Sequence, residues 1–293
     1  MKLRAWVLAS RPKTLSAAAA PVIVGTALAY RDRAGQISWL YAVLALAGAA
    51  LIQIATNFIN DALDFEKGAD TAERLGPMRV TQAGLLEADT VMRGAYLCLF
   101  LAALCGIPLV LAGGWPLLAI GLCSIAAAYL YTGGPWPLAY HGLGELFVMV
   151  FFGIVAVGGT YFVLTRDYGR DALVSGLAVG SLAVVILAIN NLRDIAGDRV
   201  VNKRTIAVRI GERGARVEIA FAALLPFALV GWLALSSADW SLFVPLVALP
   251  LAFALILGVD RSSGVELNRC LAMAGALQWA FALAFAAGAL WKR

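Results

Sequence analysis

The chain has 293 residues, 62% of them hydrophobic and only 14% charged, against about 45–50% apolar and about 25% charged in a soluble domain. That composition excludes a water-soluble globule and predicts an all-α polytopic membrane protein, because backbone that crosses lipid must satisfy its own hydrogen bonds. The net charge of +5 reads as an orientation signal and as contact with anionic membrane lipid, and it calls for no nucleic-acid partner.

Apolar runs near the roughly 20 residues needed to cross a hydrocarbon core predict nine transmembrane helices in one bundle, a single domain over residues 1–293. In chain order they are Leu15–Tyr30, Trp39–Ile59, Ala95–Ala112, Pro116–Tyr131, Leu146–Leu164, Leu173–Leu192, Val217–Leu235, Leu242–Val259 and Leu271–Leu290. The first run follows four basic residues but reads as a span and not as a cleaved signal peptide, since its small residues Ala17–Ala20 stand at its start. With a cytoplasmic N-terminus, only six of the 23 Lys and Arg fall outside: Arg31, Arg33, Arg166, Arg170, Lys292 and Arg293. That asymmetry is the one expected of a multi-pass protein of the cell inner membrane.

Cys98, Cys105, Cys123 and Cys270 fall in or beside spans without CxxC spacing and read as small apolar fillers. The single histidine, His141, reads as a loop residue. Gly25, Gly48, Gly158 and Gly159 read first as close-packing positions between helices and second as the wall of an apolar channel.

Two inside segments, Asn60–Gly94 and Arg193–Arg216, are long and charged, so function is expected there. Each begins as a continuation of a span, the second and the sixth. Residues three or four apart share a helix face, which aligns Asn57, Asp61 and Asp64 on one helix end and Asn190, Asp194 and Asp198 on the other. The offset of 133 between Asn57 and Asn190 recurs between Asp61 and Asp194, a faint internal repeat.

Carboxylates at membrane depth are costly and are normally functional. At about 5 Å and an effective dielectric near 20, each pair repels by roughly 3 kcal/mol, so a cation is expected among them. Oxygen donors without His or Cys select Mg²⁺, which completes its shell with water and phosphate oxygens. Asp61, Asp64, Asp194 and Asp198 are therefore the expected metal ligands and catalytic residues, with a diphosphate as substrate. Four carboxylates and a diphosphate carry about −7, which two Mg²⁺ reduce to about −3. Arg74, Arg79, Lys203 and Arg204 are expected to neutralise the remainder as phosphate ligands. The amides Asn57, Asn60 and Asn190 join this substrate-binding set.

These motifs resemble those of the UbiA superfamily of membrane prenyltransferases. The matching residues are Asn60-Asp61-x-x-Asp64 after the second span and Asp194-x-x-x-Asp198 after the sixth, within a nine-span layout that covers essentially the whole chain. The branch that prenylates 1,4-dihydroxy-2-naphthoate is similar in further features. These are Arg11-Pro-Lys-Thr-Leu15, Gly68-Ala-Asp70-Thr71, Arg74-Leu-Gly-Pro-Met-Arg79 with Gln82 and Gly84, Tyr131-Thr-Gly-Gly-Pro135 and Lys203-Arg-Thr-Ile-Ala-Val-Arg209. Two departures from the broader pattern, Gly68 in place of a third Asp and Pro135 in place of a Lys, also favour that branch.

The resemblance implies Mg²⁺-dependent transfer of a polyprenyl group from polyprenyl diphosphate to 1,4-dihydroxy-2-naphthoate, with loss of CO₂ and diphosphate, giving demethylmenaquinol. The active site would be cytoplasmic. Asp64 would help to deprotonate or orient the acceptor, and Gln82 and Tyr131 would belong to the acceptor pocket, with Tyr140 and Trp136 as further walls. Homogentisate or 4-hydroxybenzoate is the alternative acceptor. A secondary transporter, with paired Asp holding a coupling ion, is the alternative class.

Overall fold

The computed structural model describes residues 2–68 and 75–291. Asp70, Thr71 and Arg74, like Lys292 and Arg293, lie outside the described residues. The chain is helical, with no strand among the described residues. A short helix α1 (Lys2–Ser10) precedes α2 (Ser16–Asp32), and the stretch Leu3–Thr14 meets α2 at 52°. Within that stretch α1 ends before Arg11, whose backbone is left-handed (φ 49°), followed by Pro12. Pro has no amide to continue a helix ladder.

The remaining helices are α3 (Trp39–Glu66), α4 (Ala88–Gly113), α5 (Trp115–Leu130), α6 (Gly144–Met149), α7 (Ala156–Thr165), α8 (Arg170–Val200), α9 (Ile206–Ser237), α10 (Leu249–Arg261) and α11 (Leu267–Trp291). Seven helical stretches are long and apolar enough to cross a membrane, and the bent α1–α2 pair makes an eighth. Helix α5, with 16 residues, spans only about 24 Å. It is separated from α4 by Gly114, whose φ of 74° an L side chain rarely adopts.

Sequence hydropathy places the ends of two spans at Ile59 and Leu192, but α3 continues to Glu66 and α8 to Val200. The segment read as a loop over Arg193–Arg216 is thus mostly helix, and only residues 201–205 connect α8 to α9. The polar motifs keep helical spacing of apolar and polar faces, so nothing in them stops the helix. With 28 and 31 residues, α3 and α8 exceed a hydrocarbon core of about 30 Å by two turns or more. Asp61 and Asp64 fall in the last two turns of α3, and Asp194 and Asp198 in the last two turns of α8.

Helix α8 forms the centre, with 83% of its most apolar window buried, whereas α4 has 11% buried and turns Leu97, Phe100 and Leu111 outward. An apolar exterior is what a lipid-facing surface requires. Between α6 and α7 the chain makes a π-helical turn, Val150–Val155, a bulge frequent at functional sites. It lies against α8 at glycines: a Cβ on Gly180 would come within 2.8 Å of the Met149 carbonyl. This close approach brings the start of α6 against the motif-bearing end of α8.

Candidate functional site

The ends of α3 and α8 meet the connections that follow α3 and α5. Asp61 is 1% exposed. Its two oxygens accept the backbone N–H groups of Val80 at 3.2 Å and Thr81 at 3.0 Å. Val80 is itself buried against Phe58, Ile59 and Ala62, so Asp61 and this small core fix the segment that carries Arg79. Arg79 Nη2 then donates to Asp64 Oδ2 at 3.2 Å, and Tyr140 Oη donates to Asp64 Oδ1 at 3.4 Å.

On α8, Arg193 turns onto Asp194 with two parallel hydrogen bonds of 2.8 and 2.6 Å. Its third group donates to Asn268 of α11 at 2.7 Å. Lys203 pairs with Asp198 at 3.5 Å. The ammonium groups of Lys67 and Lys203 stand 5.1 and 5.7 Å from the Tyr140 ring centre, cation–π contacts that join the two loops. Burial pushes the Lys67 ammonium below its ordinary pKa, against the opposing pull of Asp64 and Glu66.

Two adjoining cavities follow from this arrangement. The polar one, about 120 Å³, is lined by Asn60, Asp64, Arg79, Asn190, Asn191, Arg193, Asp194 and Lys203, among others. The second, about 630 Å³, is lined mainly by apolar side chains of α2 to α8, with polar groups such as Arg11, Gln53, Asn57 and Asn60 among them. Arg11, Asn60, Tyr131, Leu187 and Asn190 line both, so the cavities share a wall. Leu111 and Leu122 line the larger cavity and are also 82% and 60% exposed. It therefore opens between α4 and α5 on the apolar flank of the bundle. A polar compartment rich in cations, joined to a long apolar one with a lateral mouth, suits an anionic head on a hydrocarbon tail.

Residues 18–281 match the UbiA prenyltransferase family. The chain belongs to that family. Similar relatives include the 1,4-dihydroxy-2-naphthoate octaprenyltransferase of Haemophilus influenzae, 37% identical over 85% of this chain and 83% of the relative. The enzyme of the same name from Mycobacterium tuberculosis is 41% identical over 84% of this chain and 83% of its own. Among solved structures, a UbiA homolog from Archaeoglobus fulgidus bound to GPP and Mg²⁺ superposes with a TM-score of 0.67 at 16% identity, over 98% of this chain and 99% of that one. The apo UbiA homolog from Aeropyrum pernix K1 gives 0.70 at 16% identity, over 94% and 96%. At such identity the likeness establishes the fold.

Within this UbiA fold the expected site residues divide. Asn60, Asp64, Arg79, Tyr131, Asn190, Asp194 and Lys203 line the polar pocket. Asp198 is buried beside it and lies in electrostatic range of Asp194 and Asp64. Asn57 lines only the apolar cavity, and its amide donates to the Ser10 carbonyl and the Thr14 hydroxyl at 3.0 and 3.3 Å. It thereby clamps the turn that holds Arg11. Gln82 lines neither cavity, and Arg204 is exposed and donates to Asn202. Arg11 opens one of the runs that resemble the naphthoate branch, yet Arg11, Asn191 and Arg193 line the polar pocket without having been given a site role from sequence. Arg193 reads there as one more inside charge, and only its position next to Asp194 could have marked it.

Among the described residues no three acidic, His or Cys side chains converge as a ready-made ion cage. The donor set nevertheless fits a hard cation. Asp64 and Asp194 face one pocket with the amides Asn60, Asn190 and Asn191, and Mg²⁺ is commonly held by one or two carboxylates plus phosphate oxygens. The glycines divide too: Gly48 and Gly159 line the apolar cavity, whereas Gly25 and Gly158 pack so closely that a Cβ would collide.

Proposed function

We propose that the chain transfers a polyprenyl group from polyprenyl diphosphate to 1,4-dihydroxy-2-naphthoate, releasing diphosphate and CO₂ and giving demethylmenaquinol. The observation that carries this reading is the shared wall between the cation-lined polar pocket and the apolar cavity. The names of the similar bacterial enzymes support the naphthoate as acceptor.

The residues perform the reaction as follows. Arg11, Arg79, Arg193 and Lys203 bind the diphosphate, whose charge grows as the allylic C–O bond breaks, and preorganised cations favour that transition state. Asp64, Asp194 and Asp198 would hold a Mg²⁺ ion, which when bound supplies Lewis-acid stabilisation of the leaving group. The apolar cavity holds the tail and keeps water from the allylic cation. Tyr131, at the junction, orients the aromatic ring, whose carbon bonds to the prenyl carbon as its carboxylate departs as CO₂. Asp61 serves the site by holding the Arg79 segment.

The same reading counts α5 as a ninth crossing and sets the N-terminus and the polar pocket on the cytoplasmic side of the cell inner membrane. Support comes from the basic residues around the pocket and their scarcity at the opposite end. The test uses membranes given labelled polyprenyl diphosphate and a panel of dihydroxynaphthoate, homogentisate and 4-hydroxybenzoate, with products identified by mass. Preference for another ring would replace the acceptor, and no prenyl transfer to any ring would leave transport as the reading.

A further inference from the structure

Glu145 is a carboxylate only 6% exposed in the first turn of α6, and the chemistry above makes no use of it. A buried anion is costly unless it is hydrogen-bonded. Here the N-terminal end of α6 favours negative charge, Lys203 lies in electrostatic range, and Asn191 Nδ2 donates to Glu145 Oε1 at 2.7 Å. Glu145 lines neither cavity, whereas Asn191 lines the polar one.

We propose that Glu145 is a positioning residue that fixes the orientation of the Asn191 amide, so that Asn191 offers the polar pocket its carbonyl oxygen and not its NH₂. Glu145 Oε1 accepts the Asn191 NH₂ at 2.7 Å, and with that end of the amide turned to Glu145 its carbonyl end is turned away from it. The neighbouring amide is tied in the same sense, since Asn190 Nδ2 donates to the Ile186 carbonyl at 3.0 Å. Two consecutive side chains thus turn their donors back into protein and leave acceptor oxygens for the pocket. Diphosphate oxygens gain nothing from further acceptors. The oxygens suit an electron-poor partner, either a hydrated divalent cation or the hydroxyl of the aromatic acceptor.

The kinetic part of the test rests on the prenyl-transfer reading, and the metal part does not. Purified protein is prepared as wild type, Glu145→Gln, Asn191→Asp and the double variant. Asn191→Asp alone sets two carboxylates face to face and is expected to lose about 10- to 100-fold in kcat/KM, the scale of a charge-assisted hydrogen bond. In the double variant the new glutamine amide donates to the new carboxylate, whose second oxygen faces the pocket, so most of that loss should be recovered. Glu145→Gln alone, able to accept or donate, should raise either the Mg²⁺ concentration that half-saturates the melting shift or the KM for the acceptor by about 10-fold, with the metal-free melting midpoint unchanged. The first result assigns the oxygens to the cation and the second to the hydroxyl. A double variant no better than Asn191→Asp, or a Glu145→Gln protein altered only in its metal-free melting, overturns the proposal. If wild type prenylates no ring, the prenyl-transfer reading and with it the hydroxyl assignment fail, and the Mg²⁺ melting series on the four proteins then decides the proposal on the cation alone: a half-saturating Mg²⁺ concentration unchanged in Glu145→Gln overturns it.

Discussion

The backbone N–H of Thr81 donates at 3.0 Å to the carboxylate of Asp61, twenty residues earlier in the chain. With Val80 on the other oxygen, Asp61 latches the segment that delivers Arg79 to Asp64. Asn at position 61 keeps one acceptor and turns an NH₂ toward a backbone N–H, a cost of about 1–3 kcal/mol. Asp61→Asn should therefore lower turnover and also speed proteolytic cleavage between α3 and α4, whereas Asp64→Asn should lower turnover alone. Equal cleavage rates for wild type and Asp61→Asn would show that the latch is not its role.

Arg79 and Lys203 line the polar pocket, while Gln82 and Arg204 do not. Loss of a charge-assisted phosphate contact of about 1.5–3 kcal/mol is felt whatever ring attacks. Arg79→Ala and Lys203→Ala should then lower kcat/KM for polyprenyl diphosphate by about 10- to 100-fold with every acceptor. Tyr131→Phe should instead change the ratio of rates between acceptors, and Gln82→Ala and Arg204→Ala should stay near wild type. Steady-state kinetics with each substrate varied in turn separates these outcomes.

The spans were legible because lipid demands long apolar runs, and the aspartate faces because their spacing is helical. What the sequence concealed was geometry between distant segments. Asn57 reads as a ligand by its spacing from Asp61, yet its amide holds the Arg11 turn. Arg204 and Lys203 are indistinguishable as adjacent charges, and only the turn after Val200 points one into the pocket and the other out of it. The π-helical turn and the glycine crossing against α8 leave no period that hydropathy could register, and Glu145 depends on both.

At the end of the bundle away from the site, Arg31 bonds three carboxylates: Asp32 at 2.7 Å, Asp171 at 2.9 Å and Asp239 at 3.3 Å. These residues join the end of α2, the start of α8 and the turn after α9. Removing one partner of a buried ion pair costs about 3–5 kcal/mol, because the other charge stays buried. Arg31→Met should therefore lower the melting midpoint markedly while KM for both substrates, measured well below that midpoint, is unchanged. A shift in KM would mean that the clasp is coupled to the site.

The apolar cavity gives a prediction about chain length. Gly106 on α4 and Gly121 on α5 both line it, and a Cβ at either position meets nothing within 4 Å. A side chain added there enters the cavity and not a neighbouring helix. Gly25 is the contrast: a Cβ there lies 2.6 Å from the Val157 carbonyl, so its substitution strains the α2–α7 crossing. Gly121→Leu should leave the melting midpoint near wild type, because no packed atom is displaced, while filling volume that a long tail occupies. If the tail lies in this cavity as proposed, the ratio of kcat/KM for a long over a short prenyl diphosphate should fall, with the short substrate almost unaffected. Gly25→Leu should lower the melting midpoint and lose activity with both lengths. If Gly121→Leu treats short and long substrates alike while remaining folded, the tail does not lie in this cavity.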